Sequence, residues 1–163
     1  MHEEENETEP LELHMVDISG KRMTHRSAIA EGCLRMQAET LAAIRAHRVP
    51  KGDPLAVAEV AGVMAAKQTP QWIPLAHPIP LTHVGLHFEF DEPHAALQIR
   101  AEATADYATG VEMEALCAVT AAALAIYDMC KGIDKTMVLD RVHLVEKHGG
   151  KSGDFFFPEE MRG

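Results

Sequence analysis

His83-Val84-Gly85-Leu86-His87-Phe88-Glu89-Phe90-Asp91-Glu92-Pro93-His94-Ala95-Ala96-Leu97-Gln98-Ile99-Arg100-Ala101-Glu102-Ala103-Thr104 is the stretch that decides the fold class. Val84, Leu86, Phe88 and Phe90 alternate with His83, Gly85, His87 and Glu89, and Leu97, Ile99, Ala101 and Ala103 alternate with Gln98, Arg100, Glu102 and Thr104. A period of two puts each apolar set on one face of a strand. Asp91-Glu92-Pro93-His94 between them is turn chemistry. The stretch therefore reads as an antiparallel β-hairpin with one dry and one wet face.

Upstream, Ala28, Ala30, Gly32, Leu34 and Met36 share one face of residues 25–36, which predicts another half-buried strand, and a short strand is predicted at His14–Ile18. Helices are predicted over Glu39–Ala46 and from Asp53-Pro54 to about Lys67, the second with Asp53 as N-cap and Pro54 in the first turn. Its Ala56, Val57, Val60, Ala61, Val63 and Met64 suggest a largely buried helix. Pro74, Pro78 and Pro80 then impose an extended connector. Thr109-Gly110-Val111-Glu112 has the pattern of a capping box and opens a long helix that runs to about Lys131, where Gly132 is expected to stop it. A strand is predicted near Met137–Val145. Mixed elements around a hairpin make this an α+β chain, an antiparallel sheet with helices on one face. The predicted organisation is an acidic disordered tail at 1–13, one catalytic domain at 14–157 and a short tail at 158–163.

Composition narrows the function. The 163 residues carry a formal net charge of −10, which argues against nucleic-acid or anionic-membrane binding and confines any anion site to a local cluster of cations. Aromatics are only 5%, so the core must be built from small and aliphatic side chains. Cys33, Cys117 and Cys130 form no C-x-x-C pair, which points to unpaired thiols in a reducing compartment, the cytoplasm. The apolar run Ala115–Tyr127 falls short of the roughly 20 residues a membrane span needs.

The candidate chemistry gathers at the ends of the long helix. Asp128 and Lys131, three residues apart, share a face and suit proton transfer, or a plain surface ion pair. Glu112, Met113 and Glu114 occupy the first turn. Glu114 and Asp128 are fourteen residues apart, about 21 Å along a helix. One small substrate cannot span that within one chain, so a site using both ends would be built between subunits. The candidate cations are Arg26, Lys51, Lys67, Lys131, Lys147 and Lys151, with Lys51 just ahead of a helix N-terminus. Gly149-Gly150-Lys151-Ser152-Gly153 is no nucleotide-binding P-loop, because Val145 stands where that motif needs glycine, although such a turn can cradle phosphate. His83 and His87 share a strand face without an evident third metal ligand, and His77 sits in the proline-locked segment.

His14-Met15-Val16-Asp17, Lys51-Gly52-Asp53, Pro74-Leu75-Ala76-His77-Pro78, Thr109-Gly110-Val111-Glu112-Met113-Glu114-Ala115-Leu116, Tyr127-Asp128-Met129-Cys130-Lys131 and Gly149-Gly150-Lys151-Ser152-Gly153 together resemble the cyclic pyranopterin monophosphate synthases, the molybdenum cofactor biosynthesis protein C family. The resemblance implies a ferredoxin-like fold and a homohexamer, a trimer of dimers with sites at the dimer interface. The implied reaction is a lyase step that turns a cyclised dihydro-GTP, made by a radical enzyme upstream, into cyclic pyranopterin monophosphate and pyrophosphate. It implies no required cofactor or protein-bound metal, with Mg²⁺ as a companion of the substrate triphosphate. Asp128, Lys131 and Lys51 would be catalytic. Leu75, Ala76, His77, Glu112, Met113 and Glu114 would contact substrate, and Arg26, Lys67, Lys147 and Lys151 would hold phosphate or close the pocket. The family usually carries Cys at the position of Ala76, so a thiol there is no obligatory nucleophile in this chain. A non-catalytic pterin or nucleotide scaffold is the alternative, and a metal-dependent phosphohydrolase using His83 and His87 is a further one.

Overall fold

The computed structural model describes residues 11–161, so most of the predicted acidic tail, together with Arg162 and Gly163, lies outside the described residues. The hairpin forms as read. Strands β2 (His83–Asp91) and β3 (Ala96–Tyr107) pair antiparallel with Leu86 opposite Ala101, Phe88 opposite Ile99 and Phe90 opposite Leu97, so apolar meets apolar on the dry face. β1 (Thr24–Arg35) lies along the other edge of β3, and β4 (Val138–His148) lies along β1. A two-residue β5 (Phe155–Phe156) completes the antiparallel order β2-β3-β1-β4-β5.

Helices α1 (Ala38–Arg45), α2 (Pro54–Lys67) and the one-turn α3 (Thr69–Trp72) join β1 to β2, and α4 (Glu112–Cys130) joins β3 to β4. The β-α-β-β-α-β order with this strand arrangement is ferredoxin-like. Ala28, Ala30 and Leu34 of β1, Leu97 and Ile99 of β3, and Ala118, Val119, Ala122 and Ile126 of α4 form one buried cluster. The scarcity of aromatic residues is met by close approach. A β-carbon on Gly32 would come within 2.7 Å of Val119, so only glycine lets α4 settle onto β1. Gly62 does the same where α2 crosses α4, since a β-carbon there would lie 3.0 Å from the Ala118 carbonyl oxygen.

Several expectations are corrected. The predicted strand at His14–Ile18 is irregular backbone ending in a turn at Ser19-Gly20, where the Asp17 carboxylate accepts from the Ser19 amide and hydroxyl instead of a ladder forming. The capping box does not form. Val111 is the N-cap with no side-chain bond, and α4 starts at Glu112, two residues later than a Thr109 cap would place it. Gly132 does not end α4 by adopting a left-handed conformation. The amides of Ile133 and Asp134 fold back onto the Cys130 carbonyl, at 2.9 and 3.0 Å. α2 is not largely buried: Ala58, Gly62, Ala65 and Ala66 face inward, but Val57, Val60 and Met64 are exposed. The apolar run is part of a longer apolar helix than its own length suggests. The 19-residue α4 is long and apolar enough to cross a membrane, yet 56% of its apolar window is buried against the sheet and α2, as in a core helix.

Asp53 caps α2 as predicted, accepting from the Leu55 and Ala56 amides at 2.9 and 3.3 Å. The turn after α4 is held by a buried carboxylate that the sequence reading did not single out. Asp134 accepts from the amides of Gln37 and Thr136 at 2.9 and 2.8 Å and from the hydroxyls of Thr40 and Thr136 at 3.1 and 2.7 Å. Burial opposes its charge, but these four donors outweigh burial and hold its carboxyl below the usual range. Asp134 thereby ties the exit of α4 to the start of α1. Asp134→Ala leaves those donors without a partner, and chemical denaturation should show a loss of about 3 kcal/mol; an unchanged midpoint would contradict this role.

Candidate active site

α2 and α4 pack antiparallel. Gly52 lies beside Met129 at the start of α2, Gly62 over Ala118, and Thr69 beside Cys117 just beyond its end. This direction delivers Lys51 to the C-terminal end of α4 and Lys67 toward its N-terminal end.

At the C-terminal end the predicted set is assembled. Lys51 Nζ donates to Asp128 Oδ2 at 2.9 Å and to the Asp128 carbonyl at 3.0 Å, while Lys131 Nζ lies 2.7 Å from Oδ1. Each carboxylate oxygen therefore has its own ammonium. Hydrogen bonds from Lys131 and then Lys51 hold the Asp128 carboxyl down at about 2, and Asp128 in turn raises Lys131. At neutral pH the set is one carboxylate between two ammoniums, open to solvent, with a net positive charge. It is ready to receive an anion that competes with Asp128 for a lysine.

At the other end of α4 a cleft of about 790 Å³ collects Arg26, Lys147, Lys151 and Glu112, joined by Lys21 and Arg22. Arg26 is oriented by its own bonds to the Tyr107 and Ala108 carbonyls, both 3.3 Å. Lys21 and Arg22 escaped the sequence reading because they sit in an irregular segment with no periodicity or motif to flag them. Their signal was charge alone, adjacent in sequence and close to Arg26. Five cations against one carboxylate make this a strongly positive patch on a chain of net charge −10.

The remaining candidates do not line that cleft. Lys67 borders a separate hollow of about 410 Å³ with Ile79 and His83. Leu75 and Met113 are exposed, while Ala76 and His77 are half-buried in the connector, where the Ala76 amide bonds the Ile73 carbonyl at 3.0 Å. Glu114 is buried, and that burial, with Glu112 nearby, pushes its carboxyl up to about 7. Of the two carboxylates singled out at the ends of α4, Glu114 is the one balanced for proton transfer at neutral pH. Its distance from Asp128, about 21 Å along one rigid helix, stands as read. Burial also raises the thiols of Cys33, Cys117 and Cys130, which leaves them unreactive. Among the described residues no group of three or more His, Cys, Asp or Glu converges as a metal site, so His83 and His87 gather no third ligand there.

Fold and site define a ferredoxin-like α+β protein with a doubly lysine-bound carboxylate at one end of its core helix and a cationic cleft at the other. The chain belongs to the MoaC family, which matches residues 15–150. Relatives include proteins of Chloroflexus aurantiacus (53% identical over 144 residues, 88% of each chain) and Limosilactobacillus fermentum (54% over 145 residues, 89% of this chain and 87% of that one). A third, from Listeria welshimeri, is 55% identical over 141 residues, 86% of this chain and 88% of its own. Each carries the name cyclic pyranopterin monophosphate synthase.

Two titrations check the electrostatics. In carboxyl ¹³C NMR, Glu114 should titrate near 7, and a midpoint in the ordinary carboxylate range would contradict its burial. Because its folded value lies above the unfolded one, the stability it contributes is complete at low pH and is lost as pH rises through about 7. Glu114→Gln, which stays neutral, should therefore lose less stability than the parent protein as pH is raised through that value; equal losses would contradict this.

Proposed function

We propose that this chain is a cyclic pyranopterin monophosphate synthase acting in molybdenum cofactor biosynthesis. Its substrate would be a cyclised dihydro-GTP supplied by an upstream radical enzyme. The observation that carries the reading is Asp128 held between Lys51 and Lys131 in a chain that is 53% identical to named synthases over 88% of its length.

Opening a purine ring and assembling a pyranopterin require several proton transfers, and forming the cyclic phosphate requires a sugar oxygen to attack the α-phosphorus as pyrophosphate leaves. The second step has a charge-rich, loose transition state, for which positioned cations matter more than covalent chemistry. In this reading Lys131 and Lys51 supply protons and positive charge, and Asp128 holds both ammoniums aimed until substrate displaces one of them. Glu114 supplies a base balanced near neutral pH. Arg26, Lys67, Lys147 and Lys151 would take the phosphates, with Glu112 and Met113 at the mouth and Leu75, Ala76 and His77 along the pterin. No resident cofactor is invoked, and Mg²⁺ would arrive only as a companion of the triphosphate.

One chain cannot bring Asp128 to Arg26 and Lys147, so the reading includes assembly: a homohexamer, a trimer of dimers with sites between the two chains of a dimer. Val57, Val60 and Met64 at one face of α2, with Leu124 of α4, leave an exposed apolar strip that supports burial against a further chain. Enzyme and substrate class both suit a cytoplasmic location. The non-catalytic scaffold is disfavoured because Asp128, Lys51 and Lys131 are present and mutually bonded.

Incubation with the cyclised dihydro-GTP should release pyrophosphate and yield a product that oxidises to a fluorescent pterin. Asp128→Asn and Lys131→Ala should each lower kcat by at least about 100-fold while leaving the thermal transition in place. Well-folded parent protein that releases no pyrophosphate, or variants that retain full turnover, would overturn the reading.

A further inference from the structure

Of the cleft's lysines, Lys147 is fixed on β4 by pairing with Ala28 of β1, whereas Lys151 sits in the turn between β4 and β5, which those strands hold weakly. Only Glu146 and Lys147 pair with Phe156 and Phe155, supplemented by one bond from the Phe157 amide to the Val145 carbonyl at 2.7 Å. The turn itself costs conformational freedom, because Gly149, Gly150 and Gly153 all adopt positive φ, at 92°, 86° and 71°. The turn is seated against Arg26 so closely that a β-carbon on Gly150 would run into the guanidinium. Something besides the ladder must hold it there.

Asp154 bridges the mouth of the turn. Its Oδ1 accepts from the Gly149 amide at 3.3 Å, and its Oδ2 pairs with His148 Nδ1 at 3.1 Å. Between these anchor points lie Lys151 and Ser152, and Ser152 accepts from Lys147 Nζ at 2.7 Å. The Gly153 amide closes the turn on the Gly150 carbonyl at 3.2 Å. His148 is fixed from its other sides as well. Glu146 Oε1 lies 3.7 Å from Nε2, the Phe156 ring meets the imidazole edge-on at 5.4 Å, and Ser27 is its register partner on β1. Neither His148 nor Asp154 lines the cleft.

We propose that Asp154 and His148 are positioning residues: they clamp the Gly149–Gly153 turn so that Lys151 faces the cationic cleft. The proposal rests on the reading of that cleft as the phosphate site. Both partners are substantially exposed, with side-chain exposures of 39% and 54%, so the clamp is a modest one. An exposed pair of this kind is worth up to about fivefold in affinity. Asp154 raises the His148 imidazole, burial opposes that, and Glu146 adds to it, so the charged pair exists while Asp154 is ionised and the imidazole protonated, and is lost as pH rises past the imidazole.

Calorimetric titration of the full chain with inorganic tripolyphosphate tests this. Lys151→Ala should weaken binding, Asp154→Ala should weaken it about fivefold, and the double variant should bind no worse than Lys151→Ala alone, because Asp154 acts through Lys151. His148→Gln should bind more weakly than the parent protein at pH 6, and the gap should close by about pH 9 as the imidazolium is lost. It also serves if Asp154→Ala fails to give a cooperative thermal transition. Full additivity in the double variant, or unchanged affinity in Asp154→Ala and His148→Gln while Lys151→Ala binds weakly, overturns the clamp and leaves the phosphate reading standing. Unchanged affinity in Lys151→Ala overturns the phosphate reading itself, and the clamp with it.

Discussion

The length and rigidity of α4 constrain everything else in this molecule. Ala115, Ala118, Ala122 and Ala123 give it a smooth buried surface on which the sheet and α2 close without gaps. A helix gripped along most of its length cannot bend to bring its ends together. Carboxylates fourteen residues apart therefore remain about 21 Å apart. The acidic first turn with its cationic surroundings and the lysine-bound Asp128 therefore stay apart within one chain.

The two halves differ in electrostatic character. Asp128 is exposed and fully satisfied by two ammoniums, so its carboxyl stays low, at about 2. Glu114 is buried and short of compensating charge, so it sits near 7. One half thus offers fixed charge and acidic N–H groups, and the other offers a carboxyl that changes state in the physiological range. In the proposed dimer, two chains related by a two-fold axis with their α4 helices antiparallel would join these complementary halves twice. The exposed strip of Val57, Val60, Met64 and Leu124 offers a surface for that pairing.

The sheet was legible because its signals are local. Alternation in 83–104 and 25–36 fixes which side chains face inward, and the Asp53-Pro54 start of α2 is a one-residue decision. The Asp128–Lys131 pair was legible for the same reason. The misses involve information that local pattern does not carry. Thr109 and Glu112 match a capping box, but the chain leaving β3 passes through Ala108 and Gly110 in a path that puts Val111 at the cap. The apolar content of α2 said nothing about which part of it has a neighbour within one chain. Lys21 and Arg22 reach the cleft, and Asp134 meets Gln37 and Thr40, through contacts nearly a hundred residues apart or in irregular backbone, where no period exists to read.

The central claim is that the two ends of α4 work together only across chains. Asp128→Ala and Arg26→Ala proteins, each inactive alone, should be mixed under conditions where subunits exchange and assayed for pyrophosphate release from the cyclised dihydro-GTP. In a dimer with two shared sites, a mixed pair keeps one site intact and loads both lesions into the other. Random exchange should then restore about one quarter of the parent activity. Full exchange, verified with mass-distinguishable copies, that restores no activity would contradict the account.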